Sequence, residues 1–114
     1  MAFERVAAVD DIPVNGTHRI ELGGEPVCVV RLAGDTVKAV HDTCSHQEWS
    51  LAEGWVDDNE IECALHGSTF DLDTGAPDSL PAVKPIPVFA CKVSDGDVYV
   101  DVGQQLNDAP LPRH

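Results

Sequence analysis

The sequence predicts an all-β protein built from small antiparallel sheets. Short apolar runs recur about every 8–12 residues, and Gly, Asn and Asp separate them, which is typical of a β-sandwich or barrel. No window of about 11 residues or longer has a convincing helical period. At 114 residues the chain is expected to be one domain that buries a core without needing disulfides.

The first third of the chain predicts four strands divided by turns. Asn15-Gly16 is a strong signal for a hairpin turn, because both residues tolerate a positive φ. Gly23-Gly24 and the stretch 33–35 mark the next two turns. The strands are predicted at residues 3–6, 17–22, 26–32 and 36–40.

The last third predicts one more hairpin. Apolar runs at residues 88–93 and 98–102 flank Ser94-Asp95-Gly96-Asp97, which has turn composition. A short helical turn is expected at residues 50–53, and residues 108–114 have the composition of a frayed tail.

Two short segments between these two groups of predicted strands contain side chains that can bind a metal. Cys44-Ser45-His46 and, sixteen residues further on, Cys63-Ala64-Leu65-His66 each offer one thiol and one imidazole. Sulfur donors select zinc, copper(I) or iron–sulfur clusters, and imidazole suits iron and zinc. Structural zinc sites usually place two Cys or two His together in one loop, so zinc is the less favoured alternative. A redox disulfide between Cys44 and Cys63 is favoured still less, since there is no Cys-x-x-Cys motif.

The pattern Cys-x-His followed by Cys-x-x-His resembles the Rieske family of [2Fe–2S] proteins. The match continues along residues 63–71 and includes Thr74-Gly75, Gly54 and the proline-rich stretch that begins at Pro77. In that family two Cys hold one iron and two His hold the other. The resemblance therefore implies one [2Fe–2S] cluster with the ligands Cys44, His46, Cys63 and His66.

The resemblance also implies how the domain is divided. In the Rieske fold, three small antiparallel sheets include a sandwich-like base, and a subdomain inserted into that base carries the cluster at its tip. Here the base is expected at about residues 1–40 and 82–104, and the cluster-binding insertion at about 41–81. Residues 105–114 are expected to form the tail.

Six further residues are expected around the cluster, because they match positions of the Rieske pattern: Ser68, Phe70, Trp49, Leu65, Gly67 and Pro81. Trp49 and Leu65 replace the two extra Cys that form a bracing disulfide in respiratory Rieske proteins, so apolar packing must take over that role. Pro81 lies in the segment that covers one side of the cluster in the family.

The hydroxyl groups expected near the cluster predict a low reduction potential. Ser68 matches a family Ser that donates a hydrogen bond to the cluster, but Phe70 stands where respiratory proteins have a Tyr. Hydrogen bonds to cluster sulfur stabilise the reduced form, so the loss of one lowers the potential. We therefore expect a value in the lower part of the Rieske range of about −150 to +300 mV.

The charge of the chain limits its partners. The net charge is −13, and residues 42–78 contain ten Asp or Glu and no Lys or Arg. This argues against nucleic acid or an anionic membrane surface as a partner. The acidic stretch is explained by general solubility, by attraction to basic patches on redox partners, or by both.

The first-loop stretch, residues 44–54, is especially similar to the soluble ferredoxins of multicomponent aromatic-ring dioxygenases. That resemblance implies an electron carrier rather than an enzyme, one that moves single electrons from a flavin reductase to a terminal non-haem iron oxygenase. Both partners would carry basic docking patches. The absence of a signal peptide and of an apolar span predicts a cytoplasmic protein, and a shuttle is expected to be a monomer.

Three other functions remain open from the sequence. They are an accessory ferredoxin for iron–sulfur cluster assembly or another redox pathway, the small subunit of a nitrite reductase, and a zinc-stabilised interaction module. Of the remaining side chains, Cys28 and Cys91 are expected to be small buried hydrophobes. His41 is expected to make a hydrogen bond at the end of a strand rather than to bind metal.

Overall fold

The computed structural model describes residues 3–33, 36–43, 50–57, 59–63, 69–77 and 85–107. These ranges contain nine strands: β1 (Glu4–Ala8), β2 (Gly16–Leu22), β3 (Glu25–Arg31), β4 (Val37–His41), β5 (Trp55–Asp57), β6 (Glu60–Glu62), β7 (Thr69–Asp71), β8 (Val88–Ser94) and β9 (Asp97–Gln105). Two single 3-10 turns, Val9–Asp11 and Leu51–Glu53, are the only helical elements in the described ranges, so the all-β prediction and the predicted turn near residue 51 are confirmed. No helix there is long and apolar enough to cross a membrane.

The larger sheet has six antiparallel strands in the order β1-β9-β8-β4-β3-β2. Its two halves are joined by a short β4–β8 ladder, in which Ala39 faces Phe89 and Val40 faces Val88. The family resemblance implied three small sheets, whereas the described strands form two. The difference arises because these two residue pairs connect the three-stranded halves into one sheet.

The two halves of this sheet share one hydrophobic core. Ala7, Val98 and Val100 come from the β1-β9-β8 half, and Val27 and Val29 come from the β2-β3-β4 half, yet all belong to one buried cluster. A strand buries one face because its side chains alternate in direction. Each fully buried Val contributes about 1.5–3 kcal/mol of hydrophobic free energy, so this core stabilises the base of the molecule.

The turn predicted at Asn15-Gly16 forms, but it does not make a β-hairpin. Asn15 has a φ of 61°, and the Gly16 N–H donates to the carbonyl of Pro13 at 2.8 Å. The strands on either side do not pair with each other, because β1 pairs with β9 and β2 pairs with β3. The hairpin prediction was therefore wrong. The 3-10 turn at Val9–Asp11 separates the two strands and bonds to the β8–β9 turn through Val9 N–H and the Gly96 carbonyl, 2.8 Å apart.

The smaller sheet lies between β4 and β8 in the chain and has the order β5-β6-β7. Ile61 and Phe70 face each other across β6 and β7 and are fully buried, whereas their neighbours on each strand are partly exposed. A second buried cluster underlies this sheet: Cys28, Val30, Val40, Leu51, Ile61, Cys63, Phe70, Leu72, Ile86 and Val88. Since Cys28, Val30 and Val40 belong to β3 and β4, the small sheet packs on the large one.

The chain is held to both sheets as far as Asn107. Its side-chain nitrogen donates to the carbonyls of Thr74 (2.7 Å) and Ile86 (2.8 Å), and its side-chain oxygen accepts from the Val88 N–H at 3.0 Å. The Leu106 N–H also donates to the Val88 carbonyl at 2.7 Å. The sequence placed the start of the tail at residue 105, whereas the strand continues through residue 105 and ordered contacts extend to Asn107.

Candidate functional site

The first predicted ligand loop has its two ends joined. Thr43 and Ser50 form an isolated antiparallel β-bridge, so residues 44–49 leave and re-enter the fold at one place. The predicted ligands Cys44 and His46, and the predicted neighbour Trp49, lie outside the described residues.

The buried carboxylate of Asp42 stabilises the base of this first loop through hydrogen bonds. Asp42 is 2% exposed, and its Oδ2 accepts from Arg19 Nε at 3.0 Å and from Ser50 Oγ at 2.5 Å. Its Oδ1 accepts from the Ala52 N–H at 2.9 Å, and its carbonyl accepts from the Leu51 N–H at 2.6 Å. A buried charge needs partners of this kind. From the sequence alone Asp42 is one of ten acids in residues 42–78, and its distant partners Arg19 and Ser50 give no local signal that it is buried.

The second predicted ligand loop connects two paired strands. Glu62 at the end of β6 pairs with Thr69 at the start of β7, so residues 63–68 form the connection of a β-hairpin. Cys63 begins this connection, is 2% exposed and is a free thiol. The other predicted residues of the loop, Leu65, His66, Gly67 and Ser68, lie outside the described ranges.

One end of each loop adjoins the same apolar core. Cys63 belongs to the buried cluster that also contains Leu51, which directly follows Ser50 at the end of the first loop. Phe70, predicted to lie near the cluster, is fully buried in this same group. The core therefore brings the ends of the two loops together, as a site with ligands from both loops requires.

The proline-rich stretch is held at both ends against the same small sheet. Pro77 bridges to Phe70 of β7, and the Ile86 N–H donates to the carbonyl of Gly75 at 2.9 Å. The Ala76 carbonyl accepts from the Asp71 N–H at 2.9 Å. Residues 78–84, with the predicted neighbour Pro81, lie outside the described part of the chain.

The other two cysteines are placed within strands. Cys28 is fully buried, as predicted, whereas Cys91 is only half-buried in β8. Burial raises the pKa of the Cys28 thiol well above its ordinary value, and the Asp42 carboxylate raises it further. Burial also raises the pKa of Cys91 to about 12, although the charge of Lys38 opposes the shift.

These raised pKa values predict unreactive thiols in the folded protein, because the thiolate is the reacting form. At pH 8 we expect iodoacetamide to alkylate Cys91 roughly a thousandfold more slowly than a free cysteine with a pKa of about 8.5. Alkylation of Cys91 should accelerate as the pH rises toward 12, where its proton is lost. Peptide mass spectrometry gives the rates, with the unfolded chain as control. Rapid labelling of either thiol at pH 8 in the folded protein would contradict the prediction.

His41 is buried at the end of β4, close to the first loop. Its Nδ1 accepts a hydrogen bond from the Thr43 N–H at 3.2 Å, and its Nε2 lies 3.6 Å from a carboxylate oxygen of Glu25. The predicted strand-end hydrogen bond of this histidine is therefore confirmed.

The described part of the site fits a sulfur-ligated metal cluster. Cys63 supplies a soft donor that is buried, free of any disulfide and placed where a hairpin loop opens. Its surroundings are apolar, which limits solvent access to a bound cluster. One Cys and one His in each closed loop give the mixed donor set that a His-ligated [2Fe–2S] centre needs.

Comparison with known proteins points to the same chemistry. The family described as Rieske [2Fe-2S] domain matches residues 2–90. The ferredoxin component of biphenyl 2,3-dioxygenase from Rhodococcus jostii is 37% identical over 102 residues, which cover 90% of this chain and 94% of that protein. The ferredoxin of carbazole 1,9a-dioxygenase from Nocardioides aromaticivorans superimposes with a TM-score of 0.83 at 36% identity, covering 88% of this chain and 97% of its own.

A further solved structure contains a partner protein. It is a complex of reduced oxygenase and oxidised ferredoxin in carbazole 1,9a-dioxygenase. The matching chain has a TM-score of 0.81 and 38% identity, with 90% of this chain and 94% of the other covered. These similarities extend over nearly the whole chain and include both ligand loops.

Proposed function

Because the chain belongs to the Rieske [2Fe–2S] family, we propose that it is the ferredoxin of a multicomponent oxygenase system. Its cofactor is one Rieske-type [2Fe–2S] cluster. When bound, the cluster takes up and releases one electron at a time. We propose that Cys44 and Cys63 hold one iron and that His46 and His66 hold the other.

The observation that supports this role best is the meeting of two closed loops on one buried core. Leu51 and Cys63 pack in the same cluster, although eleven residues separate them in sequence. The paired strands around this core hold the loop ends in place. We propose that residues 41–81 act as the cluster-binding insertion and that the six-stranded sheet acts as its base.

We propose that the chain is a carrier and not itself an enzyme. Its electron donor would be a flavin-dependent reductase and its acceptor a terminal non-haem iron oxygenase, both with basic docking patches. Relatives named as dioxygenase ferredoxins support this assignment, and the net charge of −13 supports attraction to basic surfaces. We further propose that it works in the cytoplasm as a monomer, as suits a carrier that leaves one partner for the next.

Spectroscopy and electron transfer together test this function. The purified protein should be red-brown and should become paramagnetic on reduction with dithionite, with an average g value below that of all-Cys ferredoxins. It should then pass electrons from a flavin reductase to a dioxygenase that is reconstituted from the genes beside its own. A colourless protein with stoichiometric zinc would overturn the proposal. A red-brown protein inactive with every such pair would leave the cluster assigned but refute the oxygenase role.

The position of Phe70 allows a direct test of how the potential is set. Phe70 is fully buried in the same cluster as Cys63, so the hydroxyl of a Phe70→Tyr variant would enter the apolar surroundings of that ligand. A hydrogen bond to ligand sulfur would favour the reduced form by about 1 kcal/mol, which is about 40 mV for one electron. We expect protein-film voltammetry to show an increase of that order.

The matched control is Phe89→Tyr, which adds the same hydroxyl to a buried Phe in the core of the large sheet. Its potential should equal that of the parent protein. An unchanged or lower potential for Phe70→Tyr, or an equal rise in both variants, would contradict the explanation.

A further inference from the structure

A large aromatic side chain is exposed on the sheet that carries the second ligand loop. Trp55, the first residue of β5, is 61% exposed. In the described ranges the other large apolar side chains that are clearly exposed are Val14 and Leu106, and neither is aromatic. Trp is enriched among the few residues that contribute most of the binding energy of protein interfaces. The type and exposure of Trp55 therefore suit an interface residue.

Trp55 belongs to an outward-facing group of side chains. Across the small sheet, Val56, Ile61 and Phe70 form the inner row, with Ile61 and Phe70 fully buried. Because side chains alternate along a strand, the flanking residues point away from the core. We name this group the Trp55 face, and it consists of Trp55, Glu60, Glu62, Thr69 and Asp71.

The Trp55 face borders the second ligand loop. Trp55 pairs across the ladder with Glu62, and Glu62 pairs in turn with Thr69. Cys63 follows Glu62 directly in the sequence. Trp55 is therefore paired, across the ladder, with the residue that precedes this predicted ligand. A protein bound to this face would be close to the cluster, which outer-sphere electron transfer requires.

The charges around Trp55 define the chemistry of the partner. Glu60 and Glu62 have no ion pair among the described residues, and no Lys or Arg occurs between residues 42 and 78. An indole ring beside two carboxylates suits Arg or Lys side chains, which can stack on the ring and pair with the acids. A second copy of this chain fits poorly, because two molecules of net charge −13 repel each other.

We propose that the Trp55 face is a docking surface for the basic face of an electron-transfer partner protein, with Trp55 as its apolar anchor. This inference rests on the proposed carrier function and adds where the partner binds. The indole contributes contact area and a site for a stacked cation, while Glu60 and Glu62 contribute attraction that weakens as salt is added. This surface extends along the strands of the small sheet, from the end that carries the second ligand loop to the other end.

The test measures electron transfer from the reduced holoprotein to cytochrome c, used as a basic one-electron acceptor. Stopped-flow spectroscopy gives the second-order rate constant over a range of salt concentrations. Trp55→Ala should lower this constant about tenfold at low salt, with EPR spectrum and potential unchanged. Glu62→Gln should lower the rate less and should reduce its dependence on salt.

Two control variants separate this face from the rest of the surface. Leu106→Ala removes an apolar side chain of similar exposure (62%) at the end of β9, and Asp11→Asn removes an exposed charge beside the large sheet. Both should keep the parent rate within about twofold. An unchanged rate for Trp55→Ala, or equal losses in the controls, would overturn the docking surface.

Two further outcomes of these experiments would lead to different conclusions. A protein without an EPR-active cluster would refute the carrier function itself, before any rate is measured. Sedimentation velocity that shows a dimer for the parent chain and a monomer for Trp55→Ala would assign the face to a second copy and overturn the proposal.

Discussion

We expect Cys63→Ser to lose at least about nine-tenths of its bound iron and acid-labile sulfide. The Cys63 thiol is buried where the second ligand loop leaves β6, so neither solvent nor a neighbouring disulfide competes for it. A serine hydroxyl is a hard donor that is protonated at neutral pH, whereas clusters of this kind require thiolate on the all-sulfur iron. Iron and sulfide analysis, with the visible spectrum and EPR, measures the loss.

Cys28→Ser is the matched control for this variant. Cys28 is fully buried and belongs to the same apolar cluster as Cys63, so the substitution makes the same chemical change in the same core. It should cost about 1–3 kcal/mol of stability through the buried hydroxyl and leave the cluster content unchanged. Equal cluster content in the two variants would contradict the assignment of Cys63 as a ligand.

The strands of the large sheet and the position of the second loop could be predicted from the sequence because their signals are local. Gly23-Gly24 and the turn at residues 94–97 separate apolar runs of strand length, and the structure has hairpins at both places. The predicted ligand motif could also be found locally, since each pair of donors lies within four residues. Pattern and spacing were sufficient for these features.

The features that the sequence did not reveal depend on contacts between distant residues. β5 and β6 have three residues each and are rich in charge, so no apolar alternation long enough to detect exists there. The Asn15-Gly16 turn was recognised, but which strands pair was decided by β9, more than eighty residues away. Asn107 resembles a tail residue until its bonds to Thr74 and Ile86 are seen.

The same reasoning explains why Asp42 was not identified in advance. Its partners Arg19 and Ser50 come from β2 and from the far end of the first loop, and no local motif connects them. The sequence shows that the stretch is acidic. It does not show that one of its carboxylates is buried and accepts hydrogen bonds at the base of the first ligand loop.

We expect Gly75→Ala to destabilise the protein by about 3–5 kcal/mol, because two costs combine at this position. Gly75 has a φ of 74°, which costs an L-residue about 1–2 kcal/mol. A Cβ atom there would also overlap the carbonyl oxygen of Ile86 and crowd the side-chain nitrogen of Asn107. Those atoms cannot move freely, because the Ile86 N–H donates to the Gly75 carbonyl and Asn107 bonds to Ile86. Urea unfolding followed by circular dichroism measures the change.

Gly24→Ala separates the two costs. Gly24 has a φ of 81°, but apart from its two chain neighbours no described residue lies within 4 Å of the position that its Cβ would take. We therefore expect this variant to lose only the conformational part, about 1–2 kcal/mol. Equal losses in the two variants would mean that the close approach at Gly75 is relieved without cost. A much larger loss at Gly75 would show that the close contact between the segment after β7 and the segment before β8 stabilises the fold.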